Sequence, residues 1–128
     1  MTIADELVAV AREAREHAHA PYSSFKVGAA VLAGDRVFSG VNVECASYPL
    51  SVCAERNAVA AMVGAGERRI DALAIVTDAS HPTPPCGGCR QVLSEFGRDA
   101  RVLSQTLSGE RAEWTVAELL PDAFAFDR

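Results

Sequence analysis

No stretch of this 128-residue sequence approaches the ~20 consecutive apolar residues of a membrane span. The first ten residues, MTIADELVAV, lack the basic start and apolar run of a secretory signal. Together these absences place the expected location in the cytoplasm and give no reason to expect a membrane partner. A basic footprint is also missing. The net charge is −5, and the one local basic cluster, Arg68-Arg69, sits beside Glu67 and Asp71. Neutralising a row of phosphates needs clustered Lys and Arg. Nucleic acid is therefore excluded as a substrate, and a small, nearly neutral molecule fits better. There is no internal repeat, linker or low-complexity segment, so one domain is expected over residues 1–128. Cysteine is sparse, at four residues. In a cytosolic chain so few thiols point to metal ligation or catalysis rather than a disulfide framework.

What is present reads as alternating elements. Ile3, Leu7, Val10, Ala14 and Ala18 recur at three- and four-residue steps, predicting an amphipathic helix over residues 3–19. Thr2 is its candidate cap and Pro21 its stop. Residues 26–32 and 36–43 predict two strands joined at Gly34-Asp35. Residues 53–63 predict a helix, 70–76 a buried strand, and 86–96 a helix stopped by Gly97. Short strands at 101–103 and 113–115 follow, then one helical turn at 116–120. Such alternation favours an α/β layered sheet with helices on its faces.

The chemistry lies in the cysteines. Cys86-Gly-Gly-Cys89 opens one predicted helix and Cys53-Ala-Glu55 opens another. A helix N-terminus favours thiolates through its dipole and free N–H groups. A lone C-x-x-C is ambiguous, since redox motifs share it. Adding Cys53 and an adjacent carboxylate sharpens the reading. Glu55 lies about 200° around the helix from Cys53, so it reaches over the metal instead of joining its ligands. Three ligands beside a free carboxylate describe a catalytic zinc site. Zinc lowers the pKa of bound water towards ~7, and such a carboxylate can carry the water proton. Three thiolates on Zn²⁺ leave a net negative charge, which Arg56, and less directly Arg90, is placed to offset.

The segments PYSSFKVGAA (21–30), NVECASYPLSVCAERNA (42–58), PCGGCRQVLSEFG (85–97) and ELLPDAF (118–124) resemble the small homotetrameric zinc cytidine deaminases. The resemblance implies a three-layer α/β/α cytidine-deaminase-like fold with a five-stranded mixed sheet. It implies zinc on Cys53, Cys86 and Cys89, with Glu55 shuttling protons during hydroxide attack on C4 of free cytidine or 2′-deoxycytidine. It further implies Asn42 and Glu44 on the ribose, mainly its 3′-hydroxyl, Phe25 flanking the base, and the Ala54 N–H on the pyrimidine carbonyl. Phe124 would stack on a base in a neighbouring subunit, and Tyr48 would border the substrate at the subunit junction of a homotetramer. Products would be uridine or deoxyuridine and ammonia, as in pyrimidine salvage.

Two departures stand out. Cys45 follows N-V-E where the family commonly has Asn, and Pro84 precedes Pro85-Cys86 where Ser is common. Two other readings compete: a deaminase of nucleoside antibiotics of the blasticidin type, and a non-catalytic module in which Cys45 closes a four-cysteine zinc site. The eight-residue gap from Cys45 to Cys53 is unlike the short ligand pairs of such modules, so a buried inert thiol is expected there. His17, His19 and His81 are expected at the surface, off the metal.

Overall fold

A computed structural model describes residues 1–126. Thr2 caps helix α1 (Ile3–Arg15) with a reciprocal pair of bonds: its hydroxyl accepts from the Asp5 N–H at 3.1 Å, and its own N–H donates to the Asp5 carboxylate at 3.3 Å. The helix stops four residues before the predicted end at residue 19. Long-range pairing overrides the periodicity there. The His19 N–H bonds the Asn42 carbonyl, and the Glu44 N–H bonds the His19 carbonyl, drawing residues 17–19 out of the helical path.

The remaining elements are β1 (Gly28–Ala33), β2 (Arg36–Val41), α2 (Ala54–Gly64), β3 (Ala72–Thr77), α3 (Gly87–Phe96), β4 (Arg101–Thr106), β5 (Arg111–Thr115) and α4 (Val116–Leu119). A 3-10 turn at Tyr48–Leu50 lies in a stretch read from the sequence as irregular. Strand β4 runs three residues past its predicted end at Leu103, because Ser104, Gln105 and Thr106 pair with β3 despite being polar.

The five strands form one sheet in the order β2-β1-β3-β4-β5. Only β3 and β4 are parallel; the other pairs are antiparallel. The mixed five-stranded α/β sheet expected from the sequence is therefore present. Alternate side chains go to opposite faces. Leu73 and Ile75 of β3 and Val31 of β1 pack with Ala58, Met62 and Leu93 of α2 and α3. Ala30, Ala74 and Leu103 face the other way, onto Leu7, Val8 and Ala11 of α1. The layers are α1, sheet, then α2 and α3. Two glycines set how close the helices come. A Cβ on Gly28 would lie 2.0 Å from the Ala11 carbonyl oxygen, and one on Gly40 would lie 2.3 Å from the Ala58 nitrogen.

The register gathers the site. Gly28 pairs with both Val41 and Val76. The lead-in to β1, the exit from β2 and the exit from β3 therefore share one sheet edge. Helices α2 and α3 start at that edge, as is usual for ligand sites at the carboxyl end of parallel strands.

Candidate active site

Both helices that begin at this edge have cysteine as the N-cap, Cys53 for α2 and Cys86 for α3, and neither sulfur bonds the N–H groups of its own helix. The first N–H groups of each helix are left to whatever binds in front of them. Cys89 sits one turn inside α3 and is fully buried. The three sulfurs lie within 4.8 Å of one another, with Cys53 to Cys86 at 3.9 Å and Cys86 to Cys89 at 3.4 Å. Sulfurs about 2.3 Å from a tetrahedral zinc stand about 3.8 Å apart. The donor set thus fits zinc in both chemistry and spacing. Among the described residues no fourth Cys, His or carboxylate joins the cluster. Cys45 is half-buried, and its backbone N–H donates to the Ser51 hydroxyl at 3.0 Å.

The thiols share charge unequally. Cys53 is drawn down to about 5, first by its hydrogen bond with Cys89 and then by Arg56 and Cys86, against the cost of burial. Cys89 moves up, first through that same bond and then through burial and the negative charges of Glu55 and Cys53. Arg56 Nη2 donates to the Cys53 sulfur at 3.9 Å, as its position in the sequence suggests. Arg90 works differently. Its Nε bonds the Pro85 carbonyl at 2.8 Å and its Nη1 bonds the Leu119 carbonyl at 3.0 Å, so it braces the loop leading into Cys86.

Glu55 is only 6% exposed. Burial raises its carboxyl to about 7; the Cys53 charge adds to this, while hydrogen bonds from its own N–H and from Cys89, and the Arg56 charge, oppose it. A carboxyl poised near neutrality takes and returns a proton with little bias.

A cavity of about 400 Å³ opens beside these groups. Phe25, Asn42, Glu44, Tyr48, Cys53, Ala54, Glu55 and Cys86 all line it, joined by Ser23, Val27, Ile75, Thr83 and Pro84 among others. Asn42 holds the backbone on both sides of Lys26, its Nδ2 donating to the Phe25 carbonyl and its Oδ1 accepting from the Val27 N–H, each at 2.8 Å. Glu44 is 7% exposed and accepts from the Tyr22 N–H, the Ser23 N–H and the Ser23 hydroxyl. The Ser23 hydroxyl is the main cause that holds its carboxyl below the ordinary range. Phe124 lies elsewhere. It is 68% exposed, stacks edge-on with Phe126, and is held by Gln91, which bonds both its carbonyl and its N–H. His17, His19 and His81 are exposed, outside the cluster.

The sequence model described as the cytidine and deoxycytidylate deaminase zinc-binding region matches residues 1–105. The chain belongs to this deaminase family. It is 48% identical over 120 residues to a cytidine deaminase of Halalkalibacterium halodurans, covering 92% of this chain and 91% of the relative. It is 46% identical over 123 residues to one from Sporosarcina psychrophila, covering 94% and 90%. The crystal structure of cytidine deaminase from Burkholderia pseudomallei superposes with a TM-score of 0.92 at 45% identity, covering 97% of this chain and 100% of that one.

For a zinc deaminase, the sequence reading passed over two supports. Ser23 binds Glu44 from 21 positions away, a pairing with no local signal. Its neighbour Ser24 adopts φ 60, a left-handed backbone that favours glycine and that its residue type conceals. Thr83 bonds Thr77 at 3.0 Å and steadies the loop before Pro84. No helix among the described residues is long and apolar enough to cross a membrane.

Proposed function

We propose that this chain hydrolyses free cytidine and 2′-deoxycytidine to uridine and 2′-deoxyuridine, releasing ammonia. The observation that carries the reading is a buried carboxyl, Glu55, beside three sulfurs of zinc-binding spacing at the floor of a nucleoside-sized cleft. Cys53, Cys86 and Cys89 would hold the zinc. Bound zinc supplies the Lewis acidity that makes water a nucleophile at neutral pH.

Glu55 would carry one proton of the attacking water to ring N3 and that water's second proton to the amino group, which leaves as ammonia when the C4–N bond breaks and the C4–O bond remains. The Ala54 N–H, at the uncapped first turn of α2, receives the pyrimidine carbonyl oxygen. Phe25 flanks the base. Arg56 offsets the thiolate charge through Cys53. Asn42 keeps one N–H and one lone pair beyond its backbone bonds, and with Glu44 it reads the sugar.

We further propose a homotetramer. The exposed Phe124 reaches a base in the adjacent subunit, and Tyr48, 53% exposed, borders that junction. The four-cysteine module is disfavoured because Cys45 lies outside the sulfur cluster. The antibiotic deaminase is disfavoured because a sugar-reading pair, Asn42 and Glu44, lines the cleft.

An ultraviolet assay across cytosine, cytidine, deoxycytidine and their 5′-monophosphates tests the substrate class. Turnover is expected for the two nucleosides. Little is expected for the phosphates, because the cleft holds the carboxylates Glu44 and Glu55 and no Lys or Arg among its lining residues. Efficient use of a monophosphate, or preference for blasticidin, would overturn the proposal.

A further inference from the structure

Strands β1 and β3 part where the cleft opens. Their pairing ends with Gly28 against Val76. Continuing that antiparallel register by two residues would set Lys26 against Asp78. A side chain stands between them instead. Arg15, on the last turn of α1, donates from Nε to the Lys26 carbonyl at 3.0 Å and places Nη2 3.4 Å from the Asp78 carboxylate. Its Nη1 lies 3.6 Å from the Glu16 carboxylate. The residue is only 8% exposed, so the bridge lies inside the fold. The approach of α1 is tight here: a Cβ on Gly28 would lie 2.7 Å from the Arg15 nitrogen and 2.8 Å from its Cβ.

The two segments joined in this way are two sides of the cleft. Lys26 lies between Phe25 and Val27, which both line it. Asp78 opens the loop that carries Thr83 and Pro84, also in the lining, on to Cys86. Asn42 holds the Phe25 carbonyl and the Val27 N–H from the β2 side. Successive carbonyls of an extended chain point to opposite sides. The Lys26 carbonyl therefore faces β3, and Arg15 takes it there. An arginine that served only the negative end of α1 would need no such partners. A buried guanidinium needs them to keep its charge, and its planar fork can reach two at once.

We propose that Arg15 is a positioning residue, a buried spacer that sets the width of the cleft where β1 and β3 part. It touches neither substrate nor metal. It acts through Lys26 and Asp78 and holds the Phe25 wall in place before the base arrives. The proposal rests on the reading of the cleft as a nucleoside site. Without the spacer the lead-in to β1 keeps its hold on β2 and loses its hold towards β3, and the incoming base must order Phe25 itself. The three cysteines do not depend on it. They stand on the starts of α2 and α3, and Arg90 braces the loop at Pro85.

The test is steady-state kinetics on cytidine for zinc-loaded wild type, Arg15→Met, Asp78→Ala and the double variant, each well below its melting temperature. Arg15→Met keeps an apolar stem and removes every donor. Asp78→Ala cuts the bridge from the loop and leaves the bond to Lys26. KM is expected to rise by about 2- to 12-fold in Arg15→Met, the cost of ordering one side chain on binding. Its kcat and its zinc per chain stay at the wild-type values, a split that a general loosening of the fold would not give. Asp78→Ala raises KM by less, and the double variant matches Arg15→Met, because a single bridge is cut only once. Should Arg15→Met fail to fold, Asp78→Ala decides alone. A wild type that does not turn over cytidine would defeat the nucleoside reading itself. Wild-type turnover with KM unchanged in the folded single variants would overturn the spacer and leave that reading intact. So would KM rises that add in the double variant, or loss of zinc from Arg15→Met.

Discussion

Asn42 grips the carbonyl of Phe25 with its side-chain amide at 2.8 Å, and the same amide accepts from the Val27 N–H. With the Asn42 N–H donating to the Val27 carbonyl at 3.3 Å, the two bonds continue the β1–β2 pairing by one further step. They hold an aromatic wall of the cleft in position.

Asn42→Asp removes the donor and sets a carboxylate oxygen against the Phe25 carbonyl. Leaving a partly buried carbonyl unpaired costs about 1–3 kcal/mol. Urea unfolding is expected to show a loss of that size, and KM for cytidine is expected to rise. An unchanged midpoint would mean that the clasp contributes nothing.

Glu55→Gln keeps the shape and cannot carry a proton. Because Cys53, Cys86 and Cys89 form the cluster without Glu55, the variant is expected to retain its zinc. Turnover should drop by at least about 10²- to 10⁴-fold, the usual worth of a positioned acid–base group. Metal content by atomic emission, read beside the ultraviolet assay, separates the two effects. Appreciable remaining activity with full zinc would remove Glu55 from the mechanism.

The cysteines are expected to divide three against one. Cys89→Ala, at the buried position, loses the metal and the activity together, and a strong chelator does the same to the unaltered chain. Cys45→Ala keeps both, since its thiol lies outside the sulfur cluster. Zinc counted per chain checks both variants, and loss of zinc from Cys45→Ala would revive the four-cysteine module.

Glu44 should leave a mark on acid stability. Its carboxyl is held below its ordinary value of 4.5, chiefly by the Ser23 hydroxyl. A depressed carboxyl stabilises the fold above its unfolded pKa and loses that contribution as pH falls through the folded one. The difference in melting temperature between wild type and Glu44→Gln is thus expected to be full at pH 6 and to shrink below about pH 4. A difference constant from pH 6 to pH 3 would show that the charge of Glu44 does not secure the turn at Tyr22–Phe25.

Local chemistry made much of this molecule readable. Thr2 and Asp5 announce the start of α1, and Gly97 announces the end of α3. Cys53, Cys86 and Cys89 stand out as a possible metal site by type and spacing, because thiolates are zinc ligands and a helix start favours the thiolate form. Elements set by non-local pairing were harder. Residues 17–19 carry helical periodicity, yet α1 ends at Arg15 and His19 pairs with Asn42 and Glu44, and β4 continues through polar residues because β3 lies beside it.

The amino-acid sequence by itself determined most of the alternation of elements and singled out Cys53, Cys86 and Cys89 as a possible metal site, since both follow from side-chain type and short-range spacing. Only the tertiary structure decided which groups meet across the cleft. Ser23 with Glu44, Tyr48 with Glu44 and Asn42 with Phe25 depend on a register that brings Gly28 against Val41 and Val76. That register comes from burying two sheet faces at once, a condition no short window of sequence contains.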